Sequence, residues 1–348
     1  MSDRLEARAL LTVLRESWDE VDAGLSRPSF RPAVFVALAR EADVAPTVHA
    51  LLSRAGRLDR LGEAAAELAR IRAKTRVDNL LLLARLEQAL DLLGAAGIRP
   101  IAIKGIDVLP RLYPAFDERT LDDIDLLVRR EERETAIAAL TDAGWTAPSE
   151  PERTHWLRSS FEMPLVAPGP VGVTLEIHWS LGQDVRYRID DAGLFARAVP
   201  FEIEGRKLFR LDEHDAVAHL LLHHVQHYFD RRLKWVLELG RRAATPGFSW
   251  PAVAERLRAW GGLGAAGIAL AHIAKLFPGL LPDEATRAVH ADLWRLGITL
   301  PLRSSHPLDF FRGTRRRTAQ IWIAAACLER PRDLPAYLRH RAIRDQEG

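Results

Sequence analysis

The sequence predicts an α+β protein: a small mixed β-sheet core between an N-terminal helical segment and a C-terminal helical domain. Three observations predict it. Apolar residues recur at helical spacing up to about residue 95 and again from residue 211 onward. Between them lie short apolar runs bounded by Gly, Pro and Asp, as strands are. No Walker A pattern occurs, and the one G-x-G-x-x-G, Gly262 to Gly267, falls within the helical C-terminal stretch rather than between a strand and a helix, so a doubly wound dinucleotide fold is not expected. The expected boundaries are 1–96, 97–211 and 212–348.

Helices are expected over 3–23, 33–55 and 58–95, the last stopped by Gly94 and Gly97. Strands are expected over 98–103 and 124–128, with a short helix over 105–112 between them and an amphipathic helix over 130–143 after them. Residues 156–166 and 171–181 form an expected antiparallel pair around Pro168-Gly169-Pro170, and 201–211 a further strand or ribbon turning at Gly205. Asp212 is placed to cap a helix over 213–228. Helices over 233–244, 250–260, 263–277, 282–296 and 314–328 follow, with a charged end over 339–348 that is expected to fray.

Composition narrows the function classes. The 348 residues suffice for a substantial core. A net charge of +2 gives no polyelectrolyte basis for binding long nucleic acid. Only five of the cations are Lys, so Lys104 beside Gly105 at a strand end stands out. A single Cys327 excludes an internal disulfide and fits a reducing compartment. The charged Met1–Glu6 start argues against a signal peptide, and runs such as 321–328 are too short to span a bilayer. A cytoplasmic location and no membrane partner are expected.

The stretch that carries chemistry is Pro100 to Val128. Asp123 and Asp125 share one strand face, with Ile124 on the other. Two carboxylates at the start of a buried strand are costly unless a cation lies between them, and Mg²⁺ (or Mn²⁺) prefers such hard oxygen ligands. The competing view is a surface strand start, where Asp caps are common. Further along, Glu176 and His178 share a face of a second strand, with Leu175 and Ile177 opposite.

These motifs resemble those of the uncharacterised nucleotidyltransferases of the DNA polymerase β superfamily. The matching residues are Ile103-Lys104-Gly105, Leu112-Tyr113-Pro114, Arg119, Asp123-Ile124-Asp125-Leu126-Leu127-Val128 and Glu176-Ile177-His178-Trp179, over roughly residues 75–245. The resemblance implies a polymerase-β-like core that moves a nucleoside monophosphate from an NTP to an acceptor. It implies that Asp123 and Asp125 hold the metal and that Glu176 is the third acidic ligand, orienting the acceptor. Where the superfamily has Gly-Ser after the first strand, this chain has Lys104-Gly105, which implies a point charge and a close backbone approach for the phosphates. Arg119 would neutralise phosphate or pair with the carboxylates. His178 would contact phosphate or serve as a structural hydrogen-bonded residue.

Other candidates are weighed on the residues. His219, His223, His224 and His227 lack the H-E-x-x-H pattern and are expected in the core or as a wall of the substrate cleft rather than as metal ligands. Asp117, Glu118 and Asp122 are expected in solvated loop positions. Arg231, Arg232 and Lys234 either face the cleft or form a solvated patch, and Arg315-Arg316-Arg317 is expected as a solvated helix start. The expected acceptor is a small molecule, peptide or protein, in a biosynthetic setting by the resemblance. Two alternatives remain: a non-catalytic nucleotide-binding regulatory module, and a toxin–antitoxin or tRNA-modifying transferase.

Overall fold

The computed structural model describes residues 4–227 and 232–292, and beyond them 294, 295, 297, 323–329, 333–335, 337 and 338. The N-terminal segment is helical, in shorter pieces than expected. α1 (Arg4–Leu14) and α2 (Trp18–Leu25) stand in place of one helix over 3–23, and α3 (Pro32–Glu41) and α4 (Ala45–Arg54) in place of one over 33–55. The breaks fall at Glu16 and Asp43, with φ of 56° and 58°. One left-handed residue ends a helix without disturbing the apolar period, so spacing alone runs through the break. A 3-10 turn at Leu58–Leu61 precedes α5 (Ala64–Ala95). Gly94 lies inside α5, and the stop comes at Gly97, φ 77°. There Gly97 N–H donates to Gly94 O and Ile98 N–H to Leu93 O, a Schellman closure that satisfies the last carbonyls.

One mixed sheet follows, built from β1 (Ile101–Ala102), β2 (Ile124–Leu127), β3 (Glu162–Val166), β4 (Thr174–His178), β5 (Val199–Ile203) and β6 (Arg206–Arg210), in the order β3-β4-β2-β1-β6-β5. β1 is shorter than the expected 98–103. Pro100 has no N–H to donate, and the chain turns at Lys104, φ 50°, straight into α6 (Lys104–Leu112). β2 runs antiparallel to β1 and parallel to β4, with Asp125 beside Glu176 and Leu127 beside His178. α7 (Arg133–Asp142) and α8 (Glu152–Ser159) lie in the crossover from β2. The expectation of a strand from residue 156 is therefore corrected: Trp156 and Leu157 pack on the sheet from a helix, and the alternation of a strand starts only at Glu162. α9 (Asp191–Ala196) leads to the β5–β6 hairpin, whose turn residues Glu204 and Gly205 both have positive φ, as a tight two-residue hairpin turn requires.

Strand alternation sorts the two faces of the sheet. Ile124, Leu126, Met163, Leu165, Leu175 and Ile177 form one core with Leu86 and Leu93 of α5 and Ile137 of α7. The opposite face carries Asp125, Glu162, Glu176 and His178, and α10 (Glu213–Gln226) and α11 (Leu233–Ala243) lie over it. α12 (Trp250–Trp260) and α13 (Leu263–Leu276) pack on α10, and α14 (Asp283–Ala288) packs on α12 and α13. Asp212 caps α10 as expected, accepting from the N–H groups of His214 and Asp215. α14 is shorter than the expected 282–296; Tyr228, Arg231, 314–322 (with Arg315-Arg316-Arg317) and 339–348 lie outside the described residues. A second core joins the two helical ends of the chain, with Phe35, Val48 and Leu52 in the same cluster as Val217, Leu221, Val236 and Trp250. No described helix is long and apolar enough to cross a membrane.

The loop after α6 corrects a second expectation. Glu118 is only 1% exposed and pairs with Arg54, while Asp117 pairs with Arg72 at 2.7 Å. Arginines from distant helices reach over this loop, a contact that local sequence does not announce. Buried charges also fasten α6 to the C-terminal helices. Arg242 pairs with Asp107 and, at 2.9 Å, with Glu213; Arg210 meets Glu213 at 3.0 Å. Burial opposes ionisation of Asp107, but Arg242 and Arg111 hold its carboxyl below the usual range. Arg242→Met leaves that carboxylate buried with one arginine partner fewer, so unfolding in urea at neutral pH is expected to show a loss of about 3–5 kcal/mol.

Candidate active site

The polar face of the sheet concentrates one cluster. Because β2 and β4 are parallel and in register, the side chains of Asp125 and Glu176 stand next to each other. Lys104 Nζ bridges them, 2.7 Å from Asp125 Oδ1 and 3.3 Å from Glu176 Oε2. Its φ of 50° is a left-handed conformation that costs a residue with a Cβ about 1–2 kcal/mol, a strain held in place by these contacts. His178 Nε2 lies 3.0 Å from Asp125 Oδ1 and 3.4 Å from Glu176 Oε2, and its Nδ1 lies 3.2 Å from Glu162 Oε2. Asp123, two residues before Asp125, lines the same cavity.

Burial works against every charge here. Even so, Lys104 and His178 hold the Asp125 carboxyl well below the usual range, and His178 and Lys104 lower that of Glu176. Asp123 moves the other way: burial and the charge of Asp125 push it up to about 7, with Lys104 only partly offsetting them. Burial likewise raises Glu162. Burial and Lys104 act to lower His178, yet Glu162, Asp125 and Glu176 lift it to about 9. Four carboxylates thus face two cations, and the two whose ionisation is disfavoured are Asp123 and Glu162.

The cluster opens into a cavity of about 260 Å³. Its far wall is helical: His219, His223 and His227 from α10 and its end, and Lys234 and Trp235 from α11. Among the four histidines, these three line the cavity, while His224 points away and lies 3.5 Å from His272 Nδ1. Arg119 also lines the cavity. It is 5% exposed, and its Nε donates to Glu238 Oε1 at 2.8 Å, where Tyr113 Oη also donates. Gly105 sits tight against it: a Cβ there would come 2.6 Å from Arg119 Nη1 and 2.7 Å from Leu121 Cδ2. Asp122, expected as a solvated loop residue, accepts from Lys234 Nζ at 2.8 Å and Arg232 Nη1 at 3.0 Å. Lys234 also pairs with Asp43, at the break between α3 and α4.

This arrangement of acidic strands and an overlying helical wall invites comparison with known proteins. The chain matches the profile of a family described as uncharacterised nucleotidyltransferase over residues 28–278. The chain belongs to this nucleotidyltransferase family. A solved structure, an antigenic nucleotidyltransferase-like protein from Paracoccidioides brasiliensis, is similar at 15% identity and a TM-score of 0.36, covering 64% of this chain and 94% of that one. No match among curated proteins was found.

The nucleotidyltransferase motif residues divide into two groups. Lys104, Asp123, Asp125, Glu176 and His178 gather at the sheet face, whereas Tyr113 and Arg119 meet Glu238 beneath the helical wall. Sequence reasoning missed Glu162 and Glu238; Lys234, weighed as facing the cleft or lying in a solvated patch, lines the cavity. Glu162 was within reach: folding the β3–β4 pair about Pro170 sets it opposite His178, as observed. Glu238 carries no such signal, because its meeting with Tyr113 and Arg119 is a long-range contact.

The donor set fits a divalent cation. Ligand atoms of Asp125, Glu176 and His178 lie within 4.8 Å of one another, and Asp123, its carboxyl pushed up to about 7, lines the same cavity. Lys104 occupies the same carboxylates, so it and an added cation are in competition. Lys104→Met is therefore expected to melt at a lower temperature than wild type in chelator. On adding Mg²⁺ or Mn²⁺ it is expected to gain more than wild type does, about 2.7 kcal/mol at a hundredfold excess over Kd. Thermal melts with and without the ion check this, and equal gains in the two proteins would contradict it.

Proposed function

We propose that the protein is a metal-dependent nucleotidyltransferase that transfers a nucleoside monophosphate from an NTP to an oxygen nucleophile on a small molecule, peptide or protein. The observation that supports it most is the in-register pairing of Asp125 with Glu176, with Asp123 beside them, on the floor of one cavity. In this reading the acceptor oxygen attacks the α-phosphorus, the bond from that phosphorus to the β-phosphate oxygen breaks, and pyrophosphate leaves with the electron pair. Asp123, Asp125 and Glu176 would hold Mg²⁺ or Mn²⁺, which when bound supplies neutralisation of phosphate oxygens and a more acidic acceptor hydroxyl.

The chain's own residues supply the rest. Lys104 and Gly105 sit at the start of α6, where a point charge and a side-chain-free backbone can seat phosphate oxygens. Glu176 orients the acceptor and takes its proton. His178 holds Asp125 and Glu176 in place through its Nε2, and Arg119 stiffens the wall behind Lys104 through Glu238. The C-terminal helices enclose the floor, as cleft walls that exclude water. The small net charge and the cavity volume favour a compact acceptor over long nucleic acid.

One observation favours a second reading, a nucleotide-binding regulatory module without turnover. Lys104 and His178 already neutralise much of the carboxylate charge that a metal would require. Incubation of labelled NTPs with cell extract and Mg²⁺ separates the two. Transfer of label to an acceptor is expected, lost on chelation and reduced at least about a hundredfold in Asp125→Asn and Glu176→Gln. Nucleotide binding with no transfer to any component, tRNA and proteins included, would favour the regulatory module.

A further inference from the structure

The helical wall holds two polar side chains that neither the fold nor the proposed chemistry uses. His219 and His223 are 6% and 8% exposed, one turn apart on α10, and both line the cavity above the carboxylates. Among the described residues neither has a hydrogen-bond partner. Their neighbours are rings: His219 lies 5.7 Å from His223, and His223 lies 4.3 Å from His227 and 4.5 Å from Trp235. Buried polar groups are almost always satisfied, so two imidazoles aimed into an open space point to a partner that enters it.

The chemistry of the pair narrows that partner. A metal ion is a poor candidate, since the only cluster of ligating atoms among the described residues is Asp125, Glu176 and His178. An anion is also a poor candidate. Burial, together with the charges of Lys104 and His178, drives His219 down to about 3; burial and the neighbouring His227 and Lys104 put His223 well below its ordinary value. Both imidazoles are therefore neutral, and each offers one N–H donor and one ring-nitrogen acceptor. Such a pair suits an uncharged group with donors and acceptors on one edge. Trp235 and His227 alongside them, 5.3 Å apart, provide the flat surfaces on which heterocycles stack. The floor of the cavity, with Lys104 and the carboxylates, is where charge is handled; the helical wall is where it is not.

We propose that His219 and His223 hydrogen-bond the uncharged nucleoside end of the donor NTP, with Trp235 and His227 as the stacking surface beside them. This rests on the nucleotidyltransferase reading and adds to it a donor subsite on α10 and α11. It assigns recognition of the nucleoside to the helical domain and recognition of the phosphates to the sheet.

Titration calorimetry with the full chain tests it by a ratio. The four NTPs and inorganic triphosphate are each titrated in Mg²⁺ into wild type, His219→Leu, His223→Leu and Trp235→Leu. At least one NTP is expected to bind wild type about tenfold or more tightly than inorganic triphosphate. Each substitution is expected to cut that ratio several-fold, while triphosphate binding stays within twofold of wild type. A purely structural role would move both ligands together, and His219→Asn and His223→Asn serve where a leucine variant fails to fold. If NTP and triphosphate bind wild type equally, or the ratio survives the substitutions, the nucleoside subsite is wrong while the transferase reading stands. Should neither ligand bind wild type at all, both fall.

Discussion

The contact between Lys104 and the paired carboxylates of Asp125 and Glu176 is the constraint around which the site is arranged. Two acidic side chains abreast on buried strands repel each other and lose water, and the sheet tolerates them because an ammonium lies between. That requirement reaches into the backbone. β1 ends after two paired residues, and Lys104 takes a left-handed conformation that turns the chain into α6 and sets the amine over the neighbouring strands. Gly105 follows because there is no room for a side chain against Arg119 and Leu121. The Lys-Gly pair is thus a joint in the fold as well as a candidate phosphate seat.

Much of this was legible in the sequence, and for identifiable reasons. Asp123-Ile124-Asp125 alternates as a strand must, so one face was acidic before any neighbour was known. Glu176 and His178 alternate in the same way, and the family match over residues 28–278 extends the resemblance carried by those motifs. What stayed hidden depends on contacts between distant parts of the chain. Glu118 is a loop residue by every local measure, yet Arg54 buries it. The breaks at Glu16 and Asp43 leave the apolar period intact, and residues 156–159 carry a strand-like composition inside a helix. His219 and His223 were weighed as core residues or a cleft wall; they line the cavity, and their lack of hydrogen-bond partners among the described residues is visible only once α10 is set above the sheet.

The electrostatics divide the cavity into two environments. At the floor, four carboxylates and two cations are so close that each resets the others, and Asp123 and His178 end near 7 and 9. At the wall, imidazoles a few residues apart stay neutral because they are buried beside positive charge. Histidine therefore appears in this protein in two roles, protonated within the acidic nest and unprotonated above it, and the difference follows from neighbours alone.

One contact far from the chemistry governs the shape of this space. The first residue of α11, Leu233, donates its N–H to Ala42 O at 2.9 Å, and Lys234 next to it grips Asp43 and Asp122. The roof of the cavity is thereby pinned on one side to the α3–α4 break and on the other to the loop that leads into β2. Its clearance is set by a strut rather than by a hinge. A guest too thick for the gap would have to pull the roof off the N-terminal helices, so exclusion by size is enforced in part by a backbone contact, Leu233 to Ala42, that lies outside the cavity lining.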